Sequence, residues 1–331
     1  MQDPTNRDEE SKMKLEISKP VTNLVSPLNP IEVPIVASYN CMRGKSASFI
    51  RHIEFDLSGT ILEGAFSPGQ SIGVTPPGLD EKGQAHGSRK YSISSPSFGE
   101  DGNGCRVSTT CKRVVEEFNS DVALRDGPEN GLFLGVCSNF LCGRKVGDTV
   151  LVSGPSGTKF RLPDNQDRHG YVFIATGTGI APFRGMVKEL LDGPHNTVTQ
   201  PIHLIMGAPY TSDLLYDDYF RRVAETHPNF YYHTTISREP AADGRPQGYV
   251  HDYLARTDHA VRHHLEKDDT LLYICGLKGM QTGVFKYLVR SNLANDYLKV
   301  PTNLEGTDPE TWTSMMTRRV RPKARCLVEV Y

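Results

Sequence analysis

No apolar run in this chain approaches the roughly 18 residues that a membrane-spanning helix needs. The longest candidates, around Tyr171–Ala175 and Leu271–Cys275, are strand-sized, so no membrane span is expected. A surplus of either charge is also missing: 37 Lys and Arg face 39 Asp and Glu, and a formal charge of −2 gives no reason to expect nucleic acid. The seven cysteines, Cys41, Cys105, Cys111, Cys137, Cys142, Cys275 and Cys326, stand at irregular spacing with no CxxC pair. That pattern indicates neither a disulfide framework nor a zinc or iron–sulfur site, so no metal is expected and a reducing compartment fits best. The opening stretch, MQDPTNRDEESKMKLE, has neither the apolar core of a secretory signal nor the acid-poor, arginine-rich character of a transit peptide. The expected location is the cytoplasm of a bacterium, or an organelle for a form already trimmed. No internal repeat is visible.

What is present suits a soluble two-domain protein: 331 residues, 37% apolar and 23% charged. Residues 1–34 are polar and then punctuated by Pro20, Pro27, Pro30 and Pro34, and read as an extended arm. Residues 35–165 carry short alternating strands between glycines and prolines, at Ser48–Leu57, Ser71–Thr75, Arg89–Ile93, Arg106–Cys111 and Thr149–Ser153. These predict an antiparallel barrel or sandwich. In residues 166–331 strands alternate with helices: strands at Tyr171–Ala175, Ile202–Ala208, Phe230–Ser237 and Leu271–Cys275, helices over Pro182–Leu191, Leu215–Thr226, His259–Glu266 and Met280–Ala294, and a strand-like tail Arg325–Tyr331. This alternation predicts a parallel sheet covered on both faces.

The stretch Tyr171–Gly185, YVFIATGTGIAPFRG, organises the second half. A β-branched and aromatic run turns through Thr176-Gly177-Thr178-Gly179 into a helix start, where free backbone N–H groups and the helix dipole favour a phosphate. Alone, such a turn also serves as a plain strand-to-helix connection. In the first half, Arg89-Lys90-Tyr91-Ser92 places a cation for a phosphate, an aromatic ring for stacking and a hydroxyl donor at one strand end. Arg318, Arg319, Arg321, Lys323 and Arg325 form a local basic cluster, either a solvated edge or a face for an acidic partner.

Taken in order, Arg89–Ser92, Val107–Arg113 (VSTTCKR), Gly135–Cys142 (GVCSNFLC), Gly154–Gly157 (GPSG), the TGTGIAPFR turn, Ser237-Arg238-Glu239, Cys275–Met280 (CGLKGM) and the ending Val328–Tyr331 (VEVY) resemble the plant- and cyanobacterium-type ferredoxin–NADP+ reductases. The likeness runs from about Ile35 to Tyr331. It implies an FAD-binding antiparallel β-barrel followed by an α/β parallel-sheet NADP-binding domain, with the flavin ring at their junction.

Position by position, the resemblance implies that Arg89, Lys90, Tyr91 and Ser92 hold FAD, with Tyr91 against one ring face, Arg89 at the pyrophosphate and Ser92 beside the reactive nitrogen. Val136, Cys137 and Ser138 would serve the FAD phosphates, and Thr110, Cys111 and Lys112 would lie near the adenosine, Lys112 also being available to NADP. Leu79–Gly87 matches the loop that covers the FAD adenine, here without an aromatic residue. For NADP the resemblance implies Thr176 and Thr178 at the pyrophosphate, Ala208 and Pro209 at a strand end, Ser237 and Arg238 at the 2′-phosphate, Tyr249 on the adenine, and Gly276 and Leu277 after the last long strand. Gln247 stands where the family usually has lysine, with Arg245 near enough to substitute. Ser92, Cys275, Glu329 and Tyr331 would form the catalytic set: Cys275 against the nicotinamide, Glu329 stabilising charge or relaying protons, and Tyr331 a removable cover on the flavin that also counts among the FAD contacts, as does Thr178.

The function implied is exchange of hydride with NADP(H) and of single electrons with a separate acidic carrier, ferredoxin or flavodoxin, since the chain holds no iron–sulfur cysteine pattern of its own. A second reading is the reductase component of a multi-protein oxygenase. A third is a protein that senses NADP without turnover, for which the set of Ser92, Cys275, Glu329 and Tyr331 would be superfluous.

Overall fold

The structure, a computed structural model, describes residues 15–44, 46, 48–119, 130–194, 198–240, 247–256 and 260–331. Chain contacts divide it into two compact units, Val21–Gly157 and a second made of Met1–Pro20 with Thr158–Tyr331.

The first unit is built on antiparallel strands: β1 (Ile31–Asn40), β2 (Ile50–Asp56), β3 (Ser71–Thr75), β4 (Arg89–Ser92), β5 (Arg106–Lys112), a hairpin of β6 (Val115–Asn119) and β7 (Asn130–Leu134), and β8 (Thr149–Ser156). Six of them form one sheet in the order β4-β3-β8-β1-β2-β5. Its two ends meet: Ile93 bridges Thr109, and the Thr109 hydroxyl donates to the Ser92 carbonyl at 2.8 Å, closing the expected barrel. Inside, Val33, Ile35, Ile53, Phe55, Ile72, Val74 and Val152 are almost wholly withdrawn from solvent, the inward half of each strand's two-residue alternation. A helix of seven residues, α1 (Val136–Cys142), lies between β7 and β8 and buries Cys137, Leu141 and Cys142.

Strand β1 corrects the sequence reading, in which residues up to 34 form an arm. Residues Ile31–Pro34 pair with β8 and Ile35–Asn40 with β2, with a register shift between Ile35 and Ala37. Each half of β1 is laddered on one side only, so Pro34, which has no N–H to give, falls where the strand changes partners. Further upstream, Val25 is buried and exchanges backbone hydrogen bonds with Gly154 at 3.0 Å. Residues 15–20 belong to the other unit, where Ser18 N–H and hydroxyl donate to the Asp164 carboxylate (2.6 and 3.1 Å) and the Glu16 carbonyl accepts from Asp164 N–H at 2.7 Å. Residues 1–14 of the expected arm lie outside the described residues.

The second unit carries β9 (Gly170–Thr176), β10 (Ile202–Ala208), β11 (Phe230–Ile236), β12 (Thr270–Gly276), the short pair β13 (Leu298–Lys299) and β14 (Arg321–Pro322), and β15 (Cys326–Val330). The five long strands form a parallel sheet in the order β11-β10-β9-β12-β15. Strands β9 and β12 are buried along almost their whole length, as expected when helices cover both faces. The main helices are α2 (Ile180–Asp192), α3 (Asp217–Thr226), α4 (Val250–Arg256), α5 (Ala260–Leu265) and α6 (Lys278–Arg290). Helix α2 begins two residues earlier than the pattern suggests, and α4 is too short to announce itself by periodicity. The helix predicted from His259 begins at Ala260, His259 lying outside the described residues. The unit also starts earlier than the expected boundary at residue 166: Phe160 packs against Phe183 and Tyr273, and the Tyr273 hydroxyl donates to the Arg161 carbonyl at 2.8 Å.

Within this unit one polar cluster is buried. His203 on β10 and His233 on β11 share a hydrogen bond of 3.1 Å between Nδ1 and Nε2, and the Tyr253 hydroxyl of α4 meets His233 Nδ1 at 2.8 Å. His203 also stacks on Tyr231 at 4.7 Å and lies 4.7 Å from His264 of α5. Burial, with the neighbouring His233 and His264, depresses His203 to about 3, and burial depresses His233 to about 4.

Candidate functional site

Strand order decides where a ligand can sit. Numbered in sequence order, the parallel sheet reads 3-2-1-4-5, so connections leave in opposite directions from β9 and β12, and the crevice outside their carboxyl ends is the switch point of the fold. The Thr176-Gly177-Thr178-Gly179 turn follows β9 there, and Cys275, Gly276 and Leu277 close β12 beside it. Helix α2 starts at this point with no side-chain cap and no acidic residue in its first turn, leaving its N-terminal N–H groups for an anion.

Two glycines allow the strand ends to approach. A Cβ on Gly179 would lie 2.1 Å from the Cys275 carbonyl oxygen, and Gly276, at φ +140°, would carry a Cβ 2.4 Å from the Thr176 hydroxyl. That hydroxyl in turn accepts from Leu277 N–H at 3.1 Å, pinning the end of β12 to the turn.

Tail strand β15 adds the next layer. It pairs with β12 so that Glu329 stands opposite Cys275, and Tyr331 N–H donates to the Gly276 carbonyl at 3.1 Å. The Tyr331 hydroxyl reaches back to Thr178 Oγ1 at 2.7 Å. Cys275 is buried, and desolvation together with the Glu329 carboxyl pushes its thiol well above the ordinary range. Burial also raises Glu329, whose Oε2 has no hydrogen-bond partner among the described residues. Cys275, Glu329, Tyr331, Thr176, Thr178, Gly276 and Leu277 therefore share one end of one sheet, with a buried thiol, a carboxyl whose burial favours its protonated form and a terminal aromatic ring.

At the neighbouring carboxyl ends, the chain after β10 is zipped to the chain after β11: Ser237 N–H donates to the Ala208 carbonyl (3.0 Å) and Arg238 N–H to the Pro209 carbonyl (2.9 Å). Glu239 accepts from Thr211 N–H at 2.5 Å and from the Thr211 hydroxyl, so this carboxylate clasps the two loops together. Arg238 and Tyr249 are exposed and Ser237 half-buried, so a cation, a ring and a hydroxyl reach solvent here. Gln247 bridges Ile236, and its carbonyl accepts from Arg256. Arg245, proposed to stand in for a missing lysine, lies outside the described residues. Sequence reasoning misses His251, whose ring is parallel to that of Tyr249 (5.6 Å, 6°) and occupies the space left by Gly283, where a Cβ would come within 2.2 Å of it. A lone histidine two residues past a tyrosine carries no signal in sequence.

In the barrel unit, Arg89 and Lys90 on β4 are exposed, while Tyr91 and Ser92 are half-buried. Burial, then the thiols of Cys111 and Cys137, raise the Tyr91 phenol, which keeps it neutral. Thr110 and Cys111 are buried on β5 and Lys112 is exposed. Val136 opens α1 to solvent, again with no side-chain cap and no acid in the first turn. The resemblance implies backbone and hydroxyl donors from this segment, and the hydroxyl and thiol here are engaged within the unit. The Cys137 thiol donates to the Val74 carbonyl at 3.4 Å, and the Ser138 hydroxyl accepts from Val114 N–H (3.2 Å) and donates to the Gly135 carbonyl (3.1 Å). Both side chains are spent on the fold, which leaves this turn's backbone N–H groups as its donors. The Leu79–Gly87 loop is closed by Asp80, whose carboxylate accepts from Lys82 and Gln84 N–H at 2.9 Å each.

Among the described residues no group of three or more His, Cys, Asp or Glu could hold a metal ion, and no helix is long and apolar enough to cross a membrane. In the basic cluster Arg318, Arg319, Arg321 and Lys323 are exposed. Arg325 differs: it pairs with Asp296 (3.2 Å) and Asp268 (3.9 Å) over the Tyr297 ring and belongs to the fold.

Comparison with known proteins agrees with this layout. Residues 173–286 match the family described as the oxidoreductase NAD-binding domain. The chain is 32% identical over 319 residues to the chloroplastic root isozyme of ferredoxin–NADP reductase from rice, covering 95% of this chain and 78% of that protein. It is 36% identical over 271 residues to a Picosynechococcus ferredoxin–NADP reductase, covering 80% and 64%. Its fold superposes on ferredoxin–NADP+ reductase from Plasmodium falciparum with a TM-score of 0.65 at 23% identity, over 93% of this chain and 99% of that one. An antiparallel barrel unit, a 3-2-1-4-5 parallel sheet and likeness of this extent place the chain in the ferredoxin–NADP reductase family.

Proposed function

We propose that this chain is an FAD-dependent ferredoxin–NADP+ reductase, exchanging hydride with NADP(H) and single electrons with a small acidic carrier protein. The observation that carries the proposal is the grouping of the Thr176–Gly179 turn, Cys275, Glu329 and Tyr331 at the switch point of the parallel sheet. Bound FAD would supply the exchange between paired and single electrons; the chain's own groups bind, orient and manage protons.

In this reading the unit Thr158–Tyr331 takes NADP. The start of α2, with Thr176 and Thr178, holds the pyrophosphate; Ser237 and Arg238 take the 2′-phosphate, with Ala208 and Pro209 shaping the loop and Gln247 beside it. Tyr249 stacks on the adenine, with Gly276 and Leu277 lining the path to the nicotinamide. Cys275 gives that ring a small, polarizable neighbour, and Glu329, its affinity for a proton raised by burial, holds one beside it. Tyr331 competes for the nicotinamide's place. The barrel unit takes FAD: Arg89 and Lys90 offer cations, Tyr91 a neutral ring and Ser92 a hydroxyl, while Thr110, Cys111 and Lys112 flank the adenosine. Val136, Cys137 and Ser138 contribute main-chain donors. The carrier is ferredoxin or flavodoxin, drawn to exposed Arg318, Arg319, Arg321 and Lys323. Free cysteines throughout the described residues fit a reducing compartment such as the cytoplasm.

The test is an anaerobic titration of the FAD-loaded protein with NADPH, followed by addition of ferredoxin or flavodoxin. Bleaching of the yellow flavin band by NADPH, then its return as the carrier is reduced, is expected. A preparation that cannot be loaded with FAD, or a loaded one that NADPH does not bleach, would overturn the proposal.

A further inference from the structure

Behind Tyr91 the barrel unit holds a thiol pair to which the proposed reaction gives no chemical step, although Cys111 also flanks the adenosine in that reading. Cys111 on β5 and Cys142 at the end of α1 are both buried, and their sulfurs lie 3.6 Å apart. Two arginines serve this corner. Arg51 is the cross-strand partner of Cys111, Arg113 follows Cys111 by two residues on the same strand edge, and both guanidiniums lie over the Phe49 ring at 5.9 and 4.3 Å. The Nε atoms of Arg51 and Arg113 are buried with no hydrogen-bond partner among the described residues. Arg51 does donate through its terminal nitrogen to the Ser38 carbonyl at 2.8 Å, but a buried cationic N–H without an acceptor favours an anion close by. The hydrogen bond between the two sulfurs, with the charges of Arg113 and Arg51, lowers the Cys142 thiol against the cost of burial, while Cys111 is raised. The Cys142 thiol donates to Cys111 Sγ and, at 3.4 Å, to the Cys111 carbonyl, and of the two it is the sulfur whose ionised form the neighbouring arginines favour.

We propose that Cys142 and Cys111 form an oxidisable dithiol, with Cys142 the attacking sulfur and hydrogen peroxide the oxidant. The Cys142 thiolate attacks one peroxide oxygen, the O–O bond breaks, and the departing hydroxide takes a proton and leaves as water, giving a sulfenic acid on Cys142. The Cys111 thiol then attacks that sulfur; the S–O bond breaks, an S–S bond forms, and the oxygen leaves with the Cys111 proton as a second water. The two sulfurs together lose two electrons and the peroxide gains two. The product ties the end of α1 to β5, the strand that carries Thr110 and Lys112. Cys137, although a neighbour on α1, points its thiol to the Val74 carbonyl and takes no part.

The experiment uses the full-length protein treated with hydrogen peroxide, then unfolded under non-reducing conditions for thiol counting and peptide mapping. Five titratable thiols in place of seven, and a peptide linking Cys111 to Cys142, are expected. In Cys111→Ser a dimedone-type reagent should label Cys142; in Cys142→Ser it should leave Cys111 unlabelled. Seven thiols surviving excess peroxide, oxidation confined to the partly exposed Cys41 and Cys105, or a link from Cys142 to Cys137 would each overturn the proposal. The peptide map of the unsubstituted protein decides the matter even where a variant fails to fold.

Discussion

Replacing Gly179 with alanine tests the close approach on which the nucleotide end of the sheet is built. The added Cβ would sit 2.1 Å from the Cys275 carbonyl oxygen and 2.7 Å from the Gly276 Cα, both main-chain atoms with no side-chain freedom to yield. Restoring an ordinary contact of about 3.4 Å requires the start of α2 and the end of β12 to separate by roughly 1 Å. Overpacking of this kind costs about 1–3 kcal/mol, which in a unit of this size lowers the melting temperature by ~2–4 °C per kcal/mol. If the same separation must be reversed for the cofactor to bind, NADP+ affinity falls by about 5- to 150-fold, because ~1.4 kcal/mol is a factor of ten. Gly279, with nothing within 4 Å of its Cβ position and no left-handed φ, is the internal control. Alanine there should leave binding unchanged and stabilise slightly, by about 0.4–1 kcal/mol. The assay is thermal unfolding of both variants alongside an NADP+ titration read through the flavin spectrum. A Gly179→Ala protein that melts and binds like the parent would show that β9 and β12 do not need to close in this way.

Tyr331→Ser should strengthen nicotinamide binding and raise activity with NADH, since the ring and its 2.7 Å contact to Thr178 no longer compete; unaltered NADH use counts against a cover. Ser92→Ala and Cys275→Ala should each slow bleaching by NADPH with FAD still bound, and a variant that bleaches at the parent rate has lost its assigned role. Charge reversal at Arg319 and Arg321 should depress carrier reduction at low salt while reduction of a small dye by NADPH persists; equal loss of both would mark the cluster as structural. The His203 and His233 imidazoles, depressed to about 3 and about 4 from 6.5, are neutral in the folded unit. The unfolded chain therefore binds more protons between those values, so stability is whole above about pH 6.5 and declines on acidification toward pH 4 and below, by up to ~1.4 kcal/mol per pH unit per group. Calorimetry of the parent and of His203→Phe across this window should show a shallower slope for the variant, and parallel slopes would refute the assignment.

Much of this layout is readable from residues alone, for identifiable reasons. Strand β9 is legible because Tyr171–Ala175 is β-branched and aromatic and a glycine turn ends it, and β3 and β10 fall at the predicted residues. The carboxyl-edge cluster follows because parallel strands present ligands there, whatever their order in the chain. Strand β1 was hidden by Pro34, since proline in a strand ordinarily argues against a ladder, and the change of partner at that residue is a tertiary fact. Helices α1 and α4, seven residues each, are shorter than two full turns need to display a period. The inward turn of Ser138 was equally hidden: a serine in a glycine-led turn looks like a phosphate ligand until its hydroxyl is found satisfied by Gly135 and Val114. Pairings such as Cys111 with Cys142 join residues 31 apart in sequence and have no local signature.

The position of β9 also bears on how the chain is made. It is the first long strand of its sheet to be synthesised and the middle one in space, flanked by β10 on one edge and β12 on the other. As the polypeptide emerges, β10 can cover one side early, but the opposite row of amide and carbonyl groups stays bare until Thr270–Gly276 has left the ribosome. A truncated product ending at Leu265 would carry that unpaired edge, flanked by apolar side chains, permanently, and its fate would be aggregation and not a half-functional nucleotide binder.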